Sequence, residues 1–312
     1  QELEIVPELA SDVRILAPAR QAATARQAAT ARPAATITRA VTGVPTPEPV
    51  GQVTSTGTVE VTVGSDTAAP VPATRTAMPA PAFTATSLPP DVEKKLRASL
   101  EAEKPGSAAA GAFETIIKNV EMAREKSTPI CQDTGTPIFY VHYPEGWSTR
   151  KLRQQIQEAV IEATHKAYLR PNSVNAVTGK NTGDNSGDSH YPTIHFEEID
   201  ADQPLVVELM LKGGGCENVG AQYKLPDNQL GAGRDLEGVR KVVLDAVYQA
   251  QGKGCAPGAL GVAIGGDRGS SYLASKEVLY RPIDDTHPDP TLAELEERIT
   301  QDANQLGIGP MG

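Results

Sequence analysis

The sequence predicts an α+β fold, an irregular mixture of helices and strands over residues 91–312, behind a low-complexity leader over residues 1–90. Two observations carry that expectation. Composition changes abruptly near residue 90: the first ninety residues hold no lysine and one aromatic, Phe83, whereas all eight tyrosines, Trp147 and all five histidines lie beyond it. A segment so poor in large apolar side chains cannot offset the entropy of ordering its backbone, so the leader is expected to be disordered. Beyond residue 90, apolar spacings of about 3.6 and about 2 residues follow one another without a strict strand-helix alternation, which marks α+β or irregular α/β architecture.

Inside the leader, the units ARQAAT, ARQAAT and ARPAAT run from Ala19 to Thr36. Such a repeat is too short and too polar to bury anything. No acid lies between Asp12 and Glu48, yet Arg14, Arg20, Arg26, Arg32 and Arg39 do. That composition suits an organellar transit segment, with a linker or mistranslated upstream sequence as the competing reading. Residues 53–63 alternate Thr or Ser with Val and read as a short strand with no partner in view. Six arginines against seven acids leave −9 of the net −10 charge on residues 91–312. An acidic body argues against a nucleic-acid partner. With no apolar run near the roughly 18–20 residues that cross a bilayer, a soluble cytoplasmic protein is expected, import through the leader being the subordinate alternative.

Order is expected to begin at Pro89, where prolines and Asp91 precede an amphipathic helix, VEKKLRASLEAE. A second helix over Ala108 to Lys126 places Phe113, Ile116, Ile117, Val120 and Met122 on one face. The run PIFYVHY reads as a strand, and Ser148 caps a long helix that carries Leu152, Ile156, Ala159, Val160 and Ala163 at helical spacing. Residues 171–190 are turn formers with almost nothing apolar, a long loop of the kind that tends to be functional or disordered. Strands follow near Thr193–Glu197 and Leu205–Leu211, then a helix near Leu236–Gln251, a strand Ala259–Ile264, and helices near Ser270–Leu279 and Thr291–Gln305.

Three glycine-bearing turns, each with one of the three cysteines, hold the chemistry: CQDTGT from Cys131, KGGGCEN around Cys216, and GCAPG around Cys255. Glycine lets the backbone bend sharply and approach a bound group, with N–H donors free for an anion. Cysteines this far apart fit neither a disulfide framework nor a C-x-x-C zinc site, so they are either small buried hydrophobes or thiolates that converge on an iron–sulfur cluster. Gly265-Gly266-Asp267-Arg268 lacks the lysine and hydroxyl of a phosphate loop, and the histidines show no metal-ligand spacing.

PICQDTGT, KNTGDN, LKGGGCEN, GCAPGALGVAIGG and the final LGIGPMG resemble, in this order, the catalytic domain of class I fumarases and their tartrate dehydratase relatives, over about residues 90–312. The resemblance implies a single iron–sulfur hydro-lyase domain with a [4Fe–4S] cluster held by three cysteines, one iron keeping an open position. That iron would act as a Lewis acid in the reversible hydration of fumarate to L-malate, or the dehydration of a related 2-hydroxy dicarboxylate. Carried over residue by residue, Cys131 and Cys255 are cluster ligands. Cys216 stands where the family commonly has serine and is read as a neighbour, not a ligand. Asp133 is the catalytic candidate, against an ordinary turn aspartate. Gln132, Arg170, Lys180, Asn181, Thr182, Asp184, Gly213, Gly214 and Gly215 are the substrate-binding candidates, Arg170 by clamping a carboxylate with its planar pair of donors. Bland alternatives are a solvated helix end for Arg170, a flexible surface loop for 180–185 and a simple tight turn for the glycines. Ala256-Pro257 departs from the family's usual Pro-Pro.

By the same resemblance the third cluster ligand is expected beyond Gly312, together with a beta-type domain or subunit that supplies the base, so the chain is expected to be an incomplete catalytic domain, inactive alone. A homodimer or heterotetramer is implied. Two other classes stay open: a non-catalytic alpha-type subunit that binds a beta-type partner, and a metal-free dicarboxylate-binding protein using Arg170 and the Gly213–Gly215 turn.

Overall fold

Strand-forming PIFYVHY, rich in aromatic and β-branched side chains, becomes an inner strand of a sheet and is buried along most of its length. The computed structural model describes residues 12–16, 59–61, 80–186, 191–254 and 257–308. Most of the 1–90 leader lies outside the described residues, and so does Cys255. The contacts divide the chain into two compact units.

One unit takes Pro33–Pro89 and Val120–Lys212. Its sheet has four strands, β2 (Val59–Val61), β3 (Thr136–Pro144), β4 (Thr193–Ile199) and β5 (Leu205–Lys212), in the order β2-β5-β3-β4. β3 runs parallel to β4 and antiparallel to β5, and β5 runs antiparallel to β2. Of the valine-threonine alternation expected over 53–63, Val59–Val61 pairs with β5, and the rest lies outside the described residues. Parallel pairing requires a crossover, which the Ser148-capped helix Thr149–His165 supplies. Ser148 Oγ accepts the Lys151 N–H at 3.4 Å. Phe139, Val141, Leu205 and Leu209 pack against Leu152, Ile156, Val160 and Ala163 of that helix.

A helix earlier than expected, α1 (Ala80–Thr86), belongs to the same unit. Pro81 and Ala82 are fully buried, and Ala85 joins the core. The Ala85 carbonyl accepts the Ile130 N–H at 2.9 Å, so described order starts before Pro89 and ties down the residue ahead of Cys131.

The other unit takes Pro90–Asn119 and Gly213–Gly312, with strand β1 (Asp12–Leu16). β1 pairs in parallel with β6 (Ala259–Ala263). Helix α2 (Pro90–Ala102) starts as the sequence indicates, and Asp91 also accepts the Ile283 N–H at 2.9 Å. Helix α3 (Ala108–Lys126) spans the predicted residues, with Phe113, Ile117, Val120 and Ala123 buried. Met122 is 41 % exposed, which corrects its placement on the apolar face. Nine residues beyond Phe113, at about 100° per residue, a side chain has turned to the opposite side. The crossover helix of the first unit is α4, and a five-residue helix Gly214–Asn218 is α5.

Helices α6 (Leu236–Ala250), α7 (Arg268–Glu277) and α8 (Pro290–Asn304) each begin at an aspartate that accepts first-turn N–H groups: Asp235, Asp267 and Asp289. Val239 and Val243 of α6 pack on Leu292, Leu295 and Ile299 of α8. Arg240 joins the same two helices, bonding Glu237 and reaching Asp302 at 2.6 Å. No helix among the described residues is long and apolar enough to cross a membrane.

Candidate functional site

At the start of β3 the chain makes a turn closed by its own side chains. Asp133 Oδ1 accepts the Gly135 N–H at 3.2 Å, an Asx turn. Gly135 has φ +74, and a Cβ there would lie 2.6 to 2.8 Å from the Lys212 backbone, so glycine is required by conformation and by space. Thr136 and Lys212 are register partners, which brings the end of β5 beside this turn.

Thr134 links the turn to the segment that leaves α4. Its buried Oγ1 accepts the Arg170 N–H at 2.9 Å, and Asn172 Nδ2 donates to the Gly135 carbonyl at 3.3 Å. Between the two segments lies a cleft of about 410 Å³. Cys131, Gln132, Thr134, Thr164 and Arg170 are among the residues lining it. Cys131 is exposed, with a free thiol. Arg170 is exposed too, and among the described residues its guanidinium makes no hydrogen bond or ion pair. The site therefore offers a planar cation, a primary amide and a thiol around one cavity.

Residues 174–181 form a closed hairpin from which the rest of the 180–185 stretch continues. Asn175 N–H donates to the Lys180 carbonyl at 2.8 Å, and Asn181 forms an antiparallel bridge with Val174. Asn181 donates to the Pro171 carbonyl and accepts the Gly183 N–H. Lys180, Asn181 and Thr182 are exposed; they and Asp184 are not among the cleft-lining residues. Hydrogen bonds from the Ser186 hydroxyl, then from Thr182, hold the Asp184 carboxyl down to about 2. A depressed pKa contributes stability that is complete above the ordinary carboxylate value of about 3.9 and is lost as pH falls toward 2. A carbon-detected titration should place the Asp184 midpoint near 2, and Ser186→Ala should move it upward; an unmoved midpoint would contradict the assigned cause.

The second glycine-cysteine turn lies in the other unit. Gly214 and Gly215, substrate-binding candidates expected in a glycine-bearing turn, open α5. A Cβ on Gly215 would lie 2.6 Å from the Lys253 carbonyl oxygen, and one on Gly254 would lie 3.5 Å from Cys216 Sγ. Gly215 and Cys216 are thus packed against Lys253 and Gly254. Glu217 forms an ion pair with Lys276 of α7. Among the described residues no three His, Cys, Asp or Glu side chains gather as a metal-ligand set.

Residues 75–312 match the family model described as fumarate hydratase (Fumerase). The chain belongs to that family. Within the fumarate hydratase family it is similar to a protein of Geobacillus stearothermophilus named as fumarate hydratase class I, 47% identical over 232 residues, 73% of this chain and 45% of that protein. It is also similar to the L(+)-tartrate dehydratase subunit alpha of Escherichia coli K12, 33% identical over 232 residues and 74% of each chain. The chain spans less than half the length of the Geobacillus relative.

Several residues that line or brace this cleft were not selected from sequence. Thr134 passed as part of a turn, Thr164 as one more helix residue, and Asn185 as loop. Thr164 did carry a signal, a polar side chain four residues after Val160 on the buried face of α4.

Proposed function

We propose that this chain is the cluster-bearing, dicarboxylate-binding part of a hydro-lyase that adds water reversibly across fumarate to give L-malate, or acts likewise on a related 2-hydroxy dicarboxylate. The observation that carries the proposal is the uncommitted Arg170 guanidinium and the free Cys131 thiol lining the same cleft. A dicarboxylate needs a planar pair of donors for one carboxylate, which Arg170 provides, and Gln132 offers a further N–H donor beside it.

Reduced thiols are the donors an iron–sulfur cluster takes, and Cys131, exposed and unpaired, fits that chemistry. Cys131 and Cys255 would hold a [4Fe–4S] cluster, with Cys216 a neighbour. When bound, the cluster supplies a Lewis-acidic iron for the hydroxyl that leaves or adds. This chain's residues bind and orient: Arg170 and Gln132 fix the carboxylate, so that the carbon losing its proton and the carbon losing hydroxide keep one geometry. Asp133 keeps its turn through Gly135 and is the candidate to relay a proton. The relative named as an alpha subunit favours a further reading, in which a beta-type partner completes the site.

Anaerobic reconstitution with iron and sulfide should give a brown chromophore that Cys131→Ala weakens or abolishes. Arg170→Ala should lower dicarboxylate affinity by about 10- to 100-fold, the range for losing hydrogen bonds to a charged group. A colourless reconstituted chain sinks the cluster, and unchanged affinity in Arg170→Ala sinks the clamp. Activity that returns only on co-expression with a beta-type partner would assign this chain to the alpha-type role.

A further inference from the structure

We propose that Asn185 is a positioning residue, holding the backbone of Arg170 so that its guanidinium meets a substrate carboxylate. The inference rests on the carboxylate-binding role of the cleft and concerns a residue that is not among those lining it. Asn185 is 2% exposed and has φ +62, a left-handed conformation that asparagine tolerates better than most residues.

Its amide is fully used. Oδ1 accepts the N–H groups of Asn172 at 2.9 Å and Ser173 at 3.0 Å. Nδ2 donates to Thr164 Oγ1 at 2.9 Å and to the Arg170 carbonyl at 3.0 Å. Two donors and two accepted bonds fill the capacity of a side-chain amide in this setting. Thr164 in turn donates to the Val160 carbonyl at 2.8 Å, so the network is rooted in the last turns of α4. On the other side of Arg170, Thr134 Oγ1 accepts its N–H.

The backbone of residue 170 is therefore gripped at its N–H by Thr134 and at its carbonyl by Asn185. Only side-chain rotation is left to the guanidinium. Two-pronged carboxylate recognition is sensitive to placement, and an error of about 1 Å in a positioned group costs on the order of 100-fold. Aspartate cannot replace the amide, because its second oxygen would face two acceptors, the Arg170 carbonyl and a Thr164 hydroxyl whose hydrogen is already given away. Glycine is the informative substitution, since it accepts φ +62 without strain and removes only the amide.

The test uses the 312-residue chain, with succinate as the probe because it has the two carboxylates and no leaving hydroxyl. In Asn185→Gly, amide hydrogen exchange at Arg170, Asn172 and Ser173 should quicken at least tenfold, while amides of Val141 and Leu209 in the central strands keep their rates. Succinate affinity by calorimetry should fall about tenfold, and Asn185→Gly added to Arg170→Ala should lower it no further, as expected of residues acting in series. Unchanged exchange at 170–173 overturns the positioning role. Losses that simply add overturn its action through Arg170. Should Asn185→Gly unfold, Asn185→Asp keeps both accepted bonds and must loosen the Arg170 end alone; unaltered exchange there overturns the role equally. Succinate that fails to bind the parent, or binds Arg170→Ala just as well, overturns the carboxylate reading of the cleft, and the exchange data still decide whether Asn185 holds the segment.

Discussion

Replacing Gly135 by alanine is expected to destabilise the chain by about 2–6 kcal/mol, combining a left-handed backbone at about 1–3 kcal/mol with overpacking at about 1–3 kcal/mol. The collision cannot be relieved by rotating a side chain, because the atoms 2.6 to 2.8 Å from the new Cβ are Lys212 backbone in the register of β5. Gly183 serves as the control. It has φ +84, yet nothing lies within 4 Å of a Cβ placed there, so Gly183→Ala should carry the conformational cost alone. Urea denaturation of both variants measures the difference, and equal midpoints would show that the space beside Lys212 is not tight. With domain stability of roughly 5–15 kcal/mol, the larger loss removes a substantial part of the folded population and the Cys131 turn with it.

The second large effect is expected at Arg281. Its guanidinium makes two bonds to Asp285, at 3.0 and 2.9 Å, and one at 2.7 Å to Glu296, whose side chain is 6% exposed. Removing one partner of a buried pair strands the other charge, at a typical cost of about 3–5 kcal/mol. Arg281→Ala should therefore lower stability by that amount, and adding Glu296→Gln should return part of it by neutralising the stranded group. The exposed pair Glu162 and Lys166, more than half exposed on both sides, should yield under about 1 kcal/mol when broken. If Arg281→Ala costs no more than Lys166→Ala, Glu296 is solvated in solution and the network contributes little.

Much of the architecture was readable because local signals and tertiary contacts agree. Ser148 announces α4, α6 and α8 fall close to the expected helices near Leu236–Gln251 and Thr291–Gln305, and PIFYVHY carries enough aromatic and branched side chains to be a central strand. Where the two disagree, the sequence misleads. Met122 lies close in sequence to the buried Val120 and Ala123 but on the far side of its helix. Ala80–Thr86 lies in a stretch whose composition reads as leader, yet two small residues, Ala82 and Ala85, find space in the core that bulkier ones would not.

In the site, Cys131 stood out by its glycine-bearing turn, whereas Gln132 and Arg170 were reached through the family resemblance. Thr164 and Asn185 did not stand out, since each acts only through partners distant in sequence: Asn185 reaches 21 residues back to Thr164. Lys180, Asn181 and Thr182 belong to a motif of the resemblance, while their described bonds are internal to the hairpin and to Pro171.

The carboxyl end of α4 opens toward the cleft, with Thr164 of the last helical turn and Ala167 and Leu169 just beyond it among the lining residues. A helix end of that polarity presents about half a negative charge, which repels anions over the distance of a turn. Among the described residues that line the cavity, Arg170 alone carries charge to oppose it. The sign of any guest bound there would be set by a contest between backbone dipoles that cannot be edited and one side chain that can, at residue 170.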